Sequence, residues 1–113
     1  MRGAFKIGST ALLFLLLSVL SGCNRGEGEH VNKAYTVTIQ QMKFTPATIT
    51  LSKGDTVIWI NKDIVTHNVT DATAKEWASP GLSPGMSWSR VITKSAAYMC
   101  TLHPVMKGSL EVR

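Results

Sequence analysis

Tyr98-Met99-Cys100-Thr101-Leu102-His103-Pro104-Val105-Met106 is the stretch on which the reading of this chain turns. It sets a thiolate, an imidazole and a thioether at the spacing Cys-x2-His-x2-Met. Cys and Met are soft donors that suit copper(I), and imidazole suits either copper oxidation state. A turn that folds the three side chains inward supplies three ligands, with the thioether as the long, weak axial one of a trigonal copper site. The missing ligand is then a second histidine, and only His30 and His67 remain. His67 sits in Val65-Thr66-His67-Asn68-Val69, between apolar residues at strand spacing, whereas His30 lies among Gly, Glu and Asn. His67 is the expected partner. Structural zinc is the alternative metal for such donors.

Working back from this stretch, the chain is written in strands from Ala34 onward. Tyr35, Val37 and Ile39 alternate with Thr36, Thr38 and Gln40, the two-residue period of a half-buried strand. Phe44-Thr45-Pro46 reads as a turn, after which Ile49 and Leu51 alternate with Thr48, Thr50 and Ser52. Thr56-Val57-Ile58-Trp59-Ile60 is apolar on both faces and reads as a central strand. The strand carrying His67 follows, then a long surface connection from Asp71 to Pro84. Met86, Trp88 and Arg90 mark the next strand, and Ala96 to Cys100 and Ser109 to Arg113 supply the last two. No segment sustains a 3.6-residue apolar period. About seven short strands separated by turn signals predict an all-β sandwich or barrel.

Ahead of this body, residues 1–22 read as an export signal. Arg2 and Lys6 precede an apolar stretch whose uninterrupted part, Ala11 to Leu17, is far short of the roughly 20 residues a membrane-spanning helix needs. It ends in Leu20-Ser21-Gly22-Cys23, which resembles a bacterial lipoprotein signal with Cys23 as the acylated residue. Residues 23–33 then form a lipidated cysteine and a flexible tether, and residues 34–113 the folded domain. The expected location is outside the cytoplasm, on a bacterial membrane and facing the periplasm. That compartment is oxidising, so a Cys23–Cys100 disulfide is the alternative fate of the two cysteines. Each cysteine nonetheless sits in a motif of its own.

With these elements in place, the resemblance is clear. Residues 34–113 resemble the cupredoxins, the small blue-copper electron carriers. The matching residues are Gly54-Asp55-Thr56-Val57 before Trp59, then His67-Asn68-Val69, then Tyr98 to Gly108. The short Cys-to-Met loop is similar to that of the amicyanins, since plastocyanins and pseudoazurins put more residues between the loop His and Met. The resemblance implies a Greek-key β-sandwich holding one type 1 copper, with His67, Cys100 and His103 equatorial and Met106 axial. It also implies that the His103 ring edge serves as the electron port, with Leu102, Pro104 and Val105 as an apolar docking patch. Lys62, Lys75 and Lys107 are placed to steer acidic redox partners. Asn68 and Thr101, which flank two of the ligands, are expected to hydrogen-bond across the ligand segments. Where Leu102 stands, amicyanin-type loops commonly carry Pro. A Leu102 N–H aimed at the Cys100 sulfur would favour copper(I).

Composition narrows the function classes. The chain has 113 residues, 44% hydrophobic and 17% charged, with a formal charge of +5. Two of its twelve basic residues lie in the leader, so the mature chain is only mildly basic. That bias is too weak and scattered for nucleic acid. No paired carboxylates or Ser/His/Asp set is visible, and four protein ligands leave no open position for metal-dependent catalysis. The expected role is a monomeric, membrane-tethered one-electron carrier between redox proteins, with no small-molecule substrate. Copper(I) capture or delivery is the alternative. The dispersed methionines favour the carrier, because a chaperone needs a more exposed, Met- or Cys-rich site.

Overall fold

A computed structural model describes residues 28–113, together with Gly3 and Gly22. The expected export signal, the expected lipidation site at Cys23 and the first part of the expected tether lie outside the described residues. The chain forms eight strands: β1 (Ala34–Gln40), β2 (Lys43–Thr45), β3 (Thr48–Leu51), β4 (Thr56–Asn61), β5 (Thr70–Asp71), β6 (Ser87–Val91), β7 (Ala96–Met99) and β8 (Lys107–Val112). They assemble as two four-stranded sheets, in the orders β2-β1-β4-β6 and β3-β8-β7-β5. Strands β1 and β4 pair in parallel, as do β3 and β8, so the chain crosses between the sheets more than once. This is an all-β sandwich, as the strand pattern predicts.

Two departures from the sequence reading stand out. Lys43–Thr45 is a strand where a turn was expected, because Phe44 is needed against the core and β1 offers it an antiparallel edge. His67 lies in no strand. A single bridge joins it to Leu82, with Leu82 N donating to His67 O (2.7 Å) and His67 N to Leu82 O (3.1 Å). The strand beyond it shrinks to Thr70–Asp71. The reason is polar. Buried Asn61, at the end of β4, donates from Nδ2 to the carbonyls of Val65 (2.8 Å) and Leu82 (2.7 Å) and accepts from Asp63 N (2.9 Å). A side chain thus takes backbone partners that a continuous strand ladder would use.

The core follows the alternation. Val37, Ile39, Val57, Trp59, Tyr98 and Leu110 point inward from four strands and are essentially fully buried. Trp59 is the centre, edge-on to Tyr98 (5.4 Å, 82°) and tilted against Trp88 (5.6 Å) and Trp77 (6.1 Å). Such aromatic pairs add about 0.5–1.5 kcal/mol each beyond the area they bury. Gly108 on β8 faces Tyr98 on β7, and a Cβ there would run into the phenol ring. Glycine at that position is what lets Tyr98 lie flat in the core, two residues before Cys100.

The base of the sandwich is closed by Asp55, which is fully buried. It accepts hydrogen bonds from Lys33 N (2.8 Å) and Ser52 N (2.9 Å) and pairs with His30 Nε2 (2.9 Å). The end of the expected tether, His30 to Lys33, is therefore fastened to the domain. These bonds, led by Lys33 N–H and then His30, hold the Asp55 carboxyl at about 2, below its ordinary 3.8. Gly54 makes the turn beside it with φ of 95°, a conformation that glycine adopts without strain.

Candidate metal centre

At the opposite end of the sandwich, the segment after β4 and the loop between β7 and β8 meet. The β7 alternation, with Tyr98 buried, carries Cys100 inward to 0% exposure, while Met99 turns to the other face and is half-buried. The loop that follows is tight. Cys100 N donates to Met106 O (3.1 Å) and Met106 N to His103 O (2.9 Å), which closes the Cys-to-Met segment on itself. Met106 is 2% exposed, His67 is fully buried and His103 is half-buried.

The donor atoms converge. His67 Nδ1 lies 3.1 Å from His103 Nδ1, and Cys100 Sγ lies 3.8 Å and 3.7 Å from those two nitrogens. A triangle with those sides has its centre about 2.1 Å from each corner, the length of a metal–nitrogen bond and close to a metal–sulfur one. Two imidazole nitrogens and a thiolate in a plane, with a buried thioether in the same loop, match the donor set of a type 1 copper site. His67, Cys100 and His103 thus form one group able to hold a metal. His30 is not part of it. Its ring belongs to Asp55 at the other end.

Several neighbours hold these donor residues in place. Asn68 Nδ2 donates to Thr101 Oγ1 (2.6 Å) and Thr101 N donates to Asn68 Oδ1 (2.8 Å), so the two ligand segments are cross-linked beside His67 and Cys100. Asn68 N donates to Cys100 Sγ (3.4 Å). Among the described residues, that is the backbone N–H bonded to the sulfur. The Leu102 N–H, expected as a candidate for that role, makes no such bond.

Three further residues support the site without having been expected there; Asn61 and Asp63 read from the sequence only as a break before the His67 segment. Asp63 Oδ2 accepts from His67 Nε2 (2.9 Å), and Asn61 anchors the segment between them. Ser79 Oγ, in the long connection, accepts from Val69 N (2.8 Å) and donates to Pro80 O (2.8 Å). The i,i+4 spacing of Asp63 and His67 means proximity on a helix but nothing definite in an irregular segment. Backbone N–H of Met42, then His67, then Ile64 N–H hold the Asp63 carboxyl below the usual carboxylate range. Beneath the site, burial pushes the Tyr98 hydroxyl up to about 12.

The surface around His103 is apolar. Leu102 is 54% and Val105 84% exposed, and Pro104 between them is also exposed. Ile64 (89%), Val65 and Met42 add exposed apolar area from neighbouring segments. Of the lysines singled out in the sequence, Lys62 follows β4 directly and Lys107 opens β8, both at this end. Lys75 borders a shallow hollow with Met99 and Thr101.

Comparison with known proteins agrees with this geometry. Residues 31–113 match the family model of copper-binding proteins of the plastocyanin/azurin family. The chain is 29% identical to amicyanin of Paracoccus denitrificans over 114 residues, which covers 93% of this chain and 85% of that one. The solved amicyanin of Paracoccus versutus superposes with a TM-score of 0.63 at 29% identity, covering 71% of this chain and 81% of that one. A copper-containing nitrite reductase from Thermus scotoductus shares the fold (TM-score 0.65, 24% identity), with 71% of this chain covering 22% of that enzyme. A trigonal nitrogen and sulfur donor set at one end of a two-sheet sandwich, matched by a family model across the whole folded domain, makes the chain a cupredoxin of the plastocyanin/azurin family, built for one type 1 copper ion.

Proposed function

We propose that the protein carries one electron at a time between redox proteins outside the cytoplasm, tethered to a membrane through acylated Cys23. In this reading His67, Cys100, His103 and Met106 would hold one copper ion. Copper bound there supplies a one-electron couple between copper(II) and copper(I). The observation that carries the reading is the convergence of His67 Nδ1, His103 Nδ1 and Cys100 Sγ within a triangle of metal-bonding size. The protein's part is to hold these donors still. Tyr98 and Trp59 fill the core below Cys100, and Asn68 and Thr101 clamp the two ligand segments together. A fixed donor set asks for little rearrangement when the charge at the metal changes.

Partner contact is assigned to the His103 end. Half-buried His103, ringed by exposed Leu102, Pro104 and Val105, offers a short path to a docked protein. A small apolar patch flanked by Lys62 and Lys107 suits brief association with acidic redox proteins. Copper delivery is less well served, because two of the donors, His67 and Cys100, have no exposed surface from which metal could be handed over. An enzymatic role is disfavoured by a ligand set that is already complete. We read the protein as a monomer that faces the periplasm.

Visible absorption during copper(II) titration tests this. The carrier reading expects an intense thiolate-to-copper(II) band that saturates at one equivalent, bleaches with reductant and returns with oxidant. Cys100→Ser should lose the band. Tight copper(I) binding without a coloured copper(II) form would favour delivery, and zinc binding alone would remove both readings. Acylation is tested separately by mass spectrometry of the membrane fraction and its loss in Cys23→Ala.

A further inference from the structure

The Asp63 carboxylate does more at this site than flank it. Its Oδ2 accepts from His67 Nε2 (2.9 Å) and from Met42 N (3.1 Å), and its Oδ1 from Ile64 N (2.9 Å). Its own N–H is held by the Asn61 side chain (2.9 Å), so the carboxylate is fixed from both sides. Met42 ends a two-residue turn with positive φ at Gln41 (53°) and Met42 (58°), and Ile64 is the most exposed apolar residue beside the site. One side chain therefore joins a fully buried imidazole to two exposed apolar tips. Among the described residues no group is bonded to the outer nitrogen of His103, so the two imidazoles are supported differently.

A neutral imidazole has one N–H and one lone pair, and an ionised carboxylate only accepts. Pairing with Asp63 therefore puts the His67 proton on Nε2. It leaves the Nδ1 lone pair aimed at Cys100 Sγ and His103 Nδ1. A carboxylate behind a ligand imidazole also strengthens it as a donor. Its negative charge favours the more highly charged metal state, copper(II), over copper(I).

We propose that Asp63 is the positioning residue of this copper site, fixing the tautomer of His67 and setting the balance between copper(II) and copper(I). The proposal rests on the copper reading above. Loss of such a partner typically weakens metal binding by about 10- to 100-fold. If copper(II) binding weakens tenfold while copper(I) binding is unchanged, the reduction potential rises by about 59 mV.

The test uses the full chain, with Asp63→Ala and the near-isosteric Asp63→Asn. In the metal-free protein, nitrogen-15 imidazole shifts should report His67 as the single Nε2–H tautomer. Asp63→Ala should show both tautomers. In the copper-loaded protein, both variants should have higher potentials than the parent. The proposal is overturned by a parent His67 that is not the Nε2–H tautomer. It is equally overturned if both variants melt lower but keep the parent's tautomer and potential, since Asp63 would then only brace the fold. A parent chain that takes up no copper would remove the copper reading instead. The metal-free tautomer measurement would still decide what Asp63 does to His67.

Discussion

Asn61→Ala is the substitution that most directly probes how the fold places His67. In the parent, the buried Asn61 side chain makes three hydrogen bonds: to Val65 O at 2.8 Å, to Leu82 O at 2.7 Å and from Asp63 N at 2.9 Å. Leu82 O keeps a second donor in His67 N (3.1 Å), but Val65 O and Asp63 N lose this partner. At a net 0.5–1.5 kcal/mol per bond, with the extra cost of groups left unsatisfied, the loss is about 3 kcal/mol. For a domain of this size that lowers the melting temperature by about 12–24 °C. Because the same bonds fix the segment from Val65 to His67, copper(II) affinity should fall with stability. The assay is thermal unfolding by circular dichroism on metal-free protein, paired with copper(II) titration. Asn61→Asp should fare no better, since it sets a carboxylate oxygen against two carbonyls. A melting temperature within about 4 °C of the parent would refute the energetic reasoning. A large drop with unchanged copper affinity would refute the claim that Asn61 positions the ligand.

Further expectations follow from the packing and the charges. Gly108→Ala drives a Cβ into the Tyr98 ring and should cost about 1–3 kcal/mol, read from denaturant midpoints and near-ultraviolet dichroism; an unchanged midpoint would show that β7 and β8 separate freely. Asn68→Ala removes both cross-links to Thr101 and should cost about 1–3 kcal/mol while broadening the copper charge-transfer band, whereas Thr101→Ala should do less because the Thr101 N–H then keeps Asn68 Oδ1. Asp55 has a folded value near 2 against an ordinary 3.8, so its contribution to stability is complete above about pH 4 and is lost as pH falls toward 2. Asp55→Asn should flatten that part of the stability profile, and a profile identical to the parent's would place the acid sensitivity elsewhere.

The sequence by itself determined the all-β class, most of the strands and the donor chemistry. Alternation in Tyr35 to Gln40 and in Ala96 to Cys100 is a local property, because successive side chains of an extended chain must point to opposite faces. It therefore places Met99 and Cys100 on opposite faces of the sheet without any tertiary information. The Cys-x2-His-x2-Met spacing is equally local, and His67 could be preferred over His30 from the apolar residues around it. The tertiary structure decided what depends on pairing between distant segments. Phe44 became part of a strand because β1 presented an edge to it. His67 left its expected strand because the Asn61 side chain captured backbone carbonyls from two other segments. Asp63 became the partner of His67 because an irregular turn brought it there, and no periodicity describes such a turn. His30 was drawn to Asp55 at the far pole, since a fully buried carboxylate needs donors and the entering chain supplied them. Residue types and their alternation fix which atoms can bind copper. Only the closing of the two sheets sets three of them about 2.1 Å from a common point, because that distance depends on segments more than thirty residues apart.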